Sequence, residues 1–144
     1  MCHVQKILQD EFLGKPYVIG GRGDQGFDCL TLTMGVLSRF KGIVTDREVI
    51  KKYREFYSFN DVRFLFKEMQ KHLELVWKGS YTNFKWPPLK QFDVLIFRVE
   101  TIPCHLGTYI GNNEVITTTQ DSCVRIISLT DPHWFKRIYA QFRG

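Results

Sequence analysis

Five glycines and a proline crowd the stretch from Gly14 to Phe27, and it ends abruptly at Asp28-Cys29. Cys29, Leu32, Thr33, Val36, Leu37 and Phe40 then recur at the spacing of one helix face. This predicts a glycine-rich loop of unusual backbone angles feeding a helix from Cys29 to about Phe40, closed by Lys41-Gly42. Asp28 stands at the N-cap, so Cys29 is the first helical residue. A thiol there faces unpaired backbone N–H groups and the positive end of the helix dipole. That setting lowers a cysteine pKa and favours the nucleophilic thiolate. The plain alternative is a buried core cysteine that happens to begin a helix.

A chain of 144 residues fits one domain with a sizeable core, and 44% hydrophobic content excludes a disordered chain. No apolar run is long enough to span a bilayer. The start, Met-Cys-His-Val-Gln-Lys, lacks a signal-peptide core. The expectation is therefore a chain cytoplasmic as synthesised, or released by a route that needs no signal. Cys2, Cys29, Cys104 and Cys123 are widely spaced and read as thiols. Cys2-His3 and Cys104-His105 match no zinc spacing, so neither metal nor cofactor is expected. The net charge of +5 is spread along the chain. It suits solvated helix faces or an anionic polymer such as cell wall. With no P-loop and no basic–aromatic cluster, nucleic acid is not an expected partner.

Residues 3–13 read as a helix with Val4, Ile7, Leu8 and Phe12 on one face, ended by Gly14. Thr45-Asp-Arg-Glu48 is a capping box before a second amphipathic stripe, Val49 to Tyr57. Asn60 caps a third, with Val62, Leu65, Phe66, Met69 and Leu73 inward. After a loop at 79–90 the period changes. Phe92–Phe97, His105–Ile110, Glu114–Thr119 and Val124–Leu129 read as strands, and residues 137–143 as a possible fifth. Gly111-Asn112-Asn113 is a hairpin turn. Helices first and antiparallel strands after is the α+β order. The expectation is one domain over 1–144, with a helical insertion at about 43–78.

A cysteine nucleophile needs a base, and the base needs an orienting partner. His105 lies at the head of the second strand and can project towards a helix docked there. Around the Asn112-Asn113 turn His105 and Thr117 have the same parity, so their side chains can share a face. The Thr117 hydroxyl can then accept one imidazole N–H, with Thr119 and Gln120 as alternatives.

Gly14-x-Pro16-Tyr17-x-x-Gly20-Gly21, followed by Gly26-Phe27-Asp28-Cys29, resembles the nucleophile motif of NlpC-like cysteine peptidases. These are papain-related enzymes that cut bacterial cell-wall peptides. Phe92-Asp-Val-Leu-Ile-Phe97 resembles the family's Gly-Asp-Leu-Val-Phe-Phe strand, and His105-Leu-Gly-Thr-Tyr-Ile-Gly111 its His-Val-Gly-Ile-Tyr-Ile-Gly strand. Trp134 to Arg143 resembles its closing segment. The likeness covers about 14–40 and 90–143; the middle helices resemble versions associated with phage tails. The resemblance implies Cys29 as nucleophile and His105 as base. It also implies that Tyr17 shapes the pocket beside the thiol and that Asp28 contacts the amino end of a short wall peptide. Three positions depart from the pattern. Thr117 stands where the family usually has histidine, Cys104 where a substrate-binding serine often stands, and Phe92 where glycine is usual.

The expected molecule is a papain-like α+β thiol hydrolase, with N-terminal helices on a C-terminal antiparallel sheet. It would cut amide bonds of peptidoglycan stem peptides without metal or cofactor. One rival is an inactive structural or wall-binding module with a phage-tail or delivery-machinery partner. Another is a thiol amidase or transferase acting on protein amides.

Overall fold

In a computed structural model the described residues are 3–19, 21, 23, 25–43, 67, 69–78, 88–99 and 102–144. Side-chain surroundings at 99 and 102–104 are not among them. Helix α1 spans His3–Glu11 and α2 spans Cys29–Lys41. The strands are β1 (Glu74–Lys78), β2 (Val94–Val99), β3 (Ile102–Gly111), β4 (Glu114–Thr117), β5 (Arg125–Ser128) and β6 (Ile138–Arg143). A short helix, α3 (Pro132–Phe135), lies between β5 and β6.

Local chemistry explains where α2 starts and stops. The Asp28 carboxylate accepts from Thr31 N at 2.8 Å, and Thr31 Oγ1 accepts from Asp28 N at 3.0 Å. This reciprocal pair satisfies two donors that the first turn would leave orphaned. At the other end Gly42 adopts φ 68°, and its N–H returns to Leu37 and Ser38 carbonyls. Leu30, Leu32, Val36 and Leu37 are buried between these caps. Each such side chain stabilises the fold by roughly 1.5–3 kcal/mol.

The loop before α2 is tied down at both ends. Gly14 N donates to the Val124 carbonyl and Val124 N to the Lys15 carbonyl. Further on, Phe27 N donates to Pro16 O and Val18 N to Phe27 O, so the chain doubles back beside Cys29. The crossing requires glycine at 26. Its φ is +130°, and a Cβ there would fall on the Pro16 carbonyl oxygen.

The sheet has six strands in the order β1-β6-β2-β3-β4-β5, each neighbouring pair antiparallel. Val94 to Phe97 on β2 are wholly buried. This is the signature of a central strand covered on both faces. Val94, Ile96, Leu106, Ala140 and Phe142 pack with Leu30, Met34 and Leu37 of α2. Leu95, Phe97, Tyr109, Val115, Ile127 and Ile138 pack with Trp134 and Phe135 of α3. The β3–β4 hairpin turns at Asn112 and Asn113, with φ of 52° and 61°. That positive pair is what a tight turn between twisted strands demands.

Two expectations need correction. Residues 74–78 are not the end of a helical insertion but an edge strand paired with β6. Leu75-Val-Trp77 carries β-branched and aromatic side chains that fit a pleated, half-buried surface. Its pairing partner lies some 65 residues away, beyond reach of local pattern. The sheet accordingly has six strands, and α3 was not expected. The capping box at 45–48 and most of the helix expected from Asn60 lie outside the described residues. Residues 69–72 are helical, and Met69 and Leu73 are buried as expected.

Candidate active site

Cys29 leads α2 and is 5% exposed. Its carbonyl accepts from Thr33 Oγ1 at 2.8 Å. The helix N-terminal field at this position favours negative charge. Helix α2 packs against β3 and β4. Cys29 packs in one cluster with Leu106, whose side chain leaves β3 on the face opposite to that of His105.

His105 is buried on β3, and its Nε2 lies 2.7 Å from Thr117 Oγ1. Thr117 Oγ1 also lies 2.7 Å from the Leu106 carbonyl oxygen. Counting protons decides the tautomer. A carbonyl can only accept, so the single hydroxyl proton goes to Leu106 O. The hydroxyl must then accept from His105, which puts the imidazole proton on Nε2. Nδ1 is left with its lone pair. Burial, and secondarily the Arg125 guanidinium, lower the His105 pKa from 6.5 to about 4. The imidazole is therefore neutral at pH 7, with the basic nitrogen chosen by threonine.

Thr117 is fully buried. Thr119 is half-buried and Gln120 exposed, and neither is the partner of His105. Tyr17 is half-buried and bridges to Phe27, two residues before the cysteine. Asp28 is wholly buried, and its carboxylate caps α2. The Cys104 side chain lies outside the described residues. No group of three or more potential metal ligands gathers among the described residues.

Three residues around His105 escaped the sequence reading. Ring centroids of Phe97 and Trp134 lie 6.0 and 5.8 Å from the imidazole. Phe97 and Trp134 meet edge to face at 5.6 Å, closing an aromatic wall beside the imidazole. Arg125 stands over Trp134, its Cζ 5.8 Å from the ring centroid. Trp134 sits in the segment that resembles the family's closing element, but nothing local ties it to His105.

The fold and site define a class: a helix-borne cysteine docked on an antiparallel sheet that carries an oriented histidine. The chain belongs to the NlpC/P60 family, whose model matches residues 14–143. It is 26% identical over 137 residues to the Escherichia coli K12 protein named murein DD-endopeptidase MepS/murein LD-carboxypeptidase, covering 93% of this chain and 60% of that one. It is 28% identical over 136 residues to a probable endopeptidase NlpC homolog of Haemophilus influenzae, covering 94% and 58%. The chain thus spans about 60% of the length of the curated relatives it matches. Among solved structures, an NlpC/P60 family protein from Bacillus cereus superposes with TM-score 0.64 at 20% identity, over 100% of this chain and 40% of that one. The NlpC/p60 domain of the peptidoglycan hydrolase SagA gives TM-score 0.58 at 17% identity, covering 98% and 96%. These likenesses place the α+β fold with that family's.

Proposed function

We propose that the chain is a cysteine peptidase that hydrolyses amide bonds in peptidoglycan stem peptides. The observation that carries this reading is the His105–Thr117–Leu106 hydrogen-bond relay, which leaves Nδ1 as a base. The names of the E. coli relative and of SagA supply the substrate class.

In the reaction Cys29 Sγ attacks the scissile carbonyl carbon while its proton passes to His105 Nδ1. The Cys29 backbone N–H donates to the developing oxyanion, a large contribution when preorganised. As the tetrahedral intermediate collapses, the C–N bond breaks and the Nδ1 proton goes to the leaving amine. A thioester remains. Water then gives a proton to Nδ1 and attacks the thioester carbon. The C–S bond breaks, and the sulfur recovers the proton. His105 Nδ1 acts as the general base at the moment of attack. Tyr17, Asp28 and Cys104 are assigned to the substrate side of this site.

The test is release of free amines from purified muropeptides, followed by mass spectrometry. The wild-type chain should cut. Cys29→Ala and His105→Ala should each lose roughly 10²–10⁴ of the rate, the worth of such groups. Iodoacetamide labelling of Cys29 at pH 7 should slow at least tenfold in His105→Ala. A wild-type chain that cuts no muropeptide while cutting protein amides would replace the wall substrate with a protein one. A chain inert on both, with labelling indifferent to His105, would point to a structural module.

A further inference from the structure

Among the described residues, Arg125 stands near His105 with no carboxylate to answer its charge. Thr117 and Arg125 are directly opposed across β4 and β5, so their side chains leave the sheet on the same face. Thr117 is bonded to His105 on that face. The guanidinium lies over Trp134, and Trp134 borders His105. Arg125 is exposed, and no carboxylate pairs with it among the described residues. The stacked ring restrains the guanidinium while leaving its N–H fork open to solvent. That fork fits the two oxygens of a carboxylate. An unanswered cation beside the base also works against catalysis, because it helps hold the imidazole's basicity down. A substrate anion bound there would remove that opposition during the reaction.

Which side of the scissile bond the anion lies on follows from proton flow. His105 delivers its proton to the leaving amine, so groups clustered around His105 face the leaving residue. An amino acid that leaves by its α-amine carries its carboxyl one carbon away. We infer that Arg125 is a specificity residue, binding a free carboxylate on the residue whose amine is released. This rests on the peptidase reading above and adds the polarity of the leaving side.

The experiment uses two synthetic stem peptides, identical except that the leaving residue bears an α-carboxylate in one and a carboxamide in the other. Wild type should prefer the carboxylate at least tenfold in kcat/KM, mainly through KM. In Arg125→Gln the ratio should fall to about one. Arg125→Lys should keep part of the preference, and Arg125→Glu should reverse it. Lys136→Gln, the same charge loss next to α3, should keep the wild-type ratio. Equal cleavage of both peptides by wild type, or an intact preference in Arg125→Gln, overturns the inference. Calorimetric binding of both peptides to Cys29→Ala separates the two readings. Carboxylate-selective, Arg125-dependent binding without turnover in wild type would sink the hydrolase and keep the Arg125 site. Neither binding nor turnover would sink both.

Discussion

Two arginines emerge near buried polar groups of the same sheet, and they meet opposite fates. Arg143, on β6, places Nε 2.9 Å from Asp93 Oδ1 and Nη2 2.8 Å from Oδ2. Lys90 N and Gln141 Nε2 complete four hydrogen bonds on that carboxylate. Asp93 is 1% exposed, and its hydrogen bond holds Arg143 above the ordinary guanidinium range. Arg125, on β5, has an aromatic plate and no carboxylate among the described residues. The first network saturates the Asp93 carboxylate and pins β6 to the entrance of β2. The second is open, and the proton on its histidine is directed by a single hydroxyl. The Asp93 carboxylate is answered from within the chain, although Gln141 Oε1 beside it is buried without a hydrogen-bond partner, whereas the Arg125 guanidinium faces solvent.

The contrast breaks most visibly at Asp93. Removing the carboxylate leaves the Lys90 N–H and Gln141 Nε2 donors without their acceptor, so Asp93→Ala should destabilise by about 1–3 kcal/mol. Urea denaturation reads this directly. The rate per folded molecule should stay near wild type; a hundredfold loss of rate would mean that the two networks are one. Thr117→Val tests the open network. It keeps the shape of threonine but leaves Nε2–H and Leu106 O without a partner. Turnover should fall roughly ten- to a hundredfold, in line with the two or so kcal/mol that a lost buried partner costs. Thr117→Ser should restore most of it. A fully active valine variant would remove threonine from the mechanism.

Acid sharpens the difference further. His105 titrates at about 4 when folded, against 6.5 when exposed, so the unfolded chain binds the extra proton between those values. Its contribution to stability is complete above about pH 6.5 and is lost as pH falls towards 4. At about 1.4 kcal/mol per pKa unit, that loss is on the order of 3–4 kcal/mol once pH is well below 4. Comparing wild type with His105→Asn at pH 7 and pH 4.5 isolates it from the titration of carboxylates elsewhere. Equal acid losses in both would show that His105 does not carry it.

The smallest effect belongs to Phe92. Its φ of 72° is one that glycine adopts freely, yet its ring stacks on Phe40 at 4.7 Å. Left-handed backbone costs a non-glycine residue roughly 1–2 kcal/mol, similar to what an aromatic pair returns. Phe92→Gly should therefore shift stability by no more than about 1 kcal/mol, while Phe92→Ala, which keeps the strain and loses the ring, should be worse than glycine by about the 1–2 kcal/mol of strain. Thermal melts of the pair would decide it, and an alanine variant as stable as glycine would mean that the strain is absent.

What could be read in advance was whatever local physics governs. The Asp28 cap and the Gly42 stop of α2 depend on neighbours within five residues, so the place of Cys29 at the helix start was legible. The His105–Thr117 contact was legible for a related reason. Asn112 and Asn113 select a tight turn, and a tight turn makes strand parity predictable. The Thr117–Arg125 pairing was not. It crosses seven residues between β4 and β5, where no turn chemistry dictates the register. Likewise Glu74–Lys78 became a strand only because β6 offered an edge some 65 residues later.

The sequence by itself determined a cysteine at a capped helix N-terminus and a histidine and threonine sharing one face of a hairpin. Short-range hydrogen bonds and two-residue periodicity suffice for that. Only the tertiary structure decided which imidazole nitrogen carries the proton, which aromatic rings wall the base, and that an arginine without a carboxylate partner among the described residues stands beside it. Those depend on distances between segments far apart in the chain, set by how six strands close around a common core.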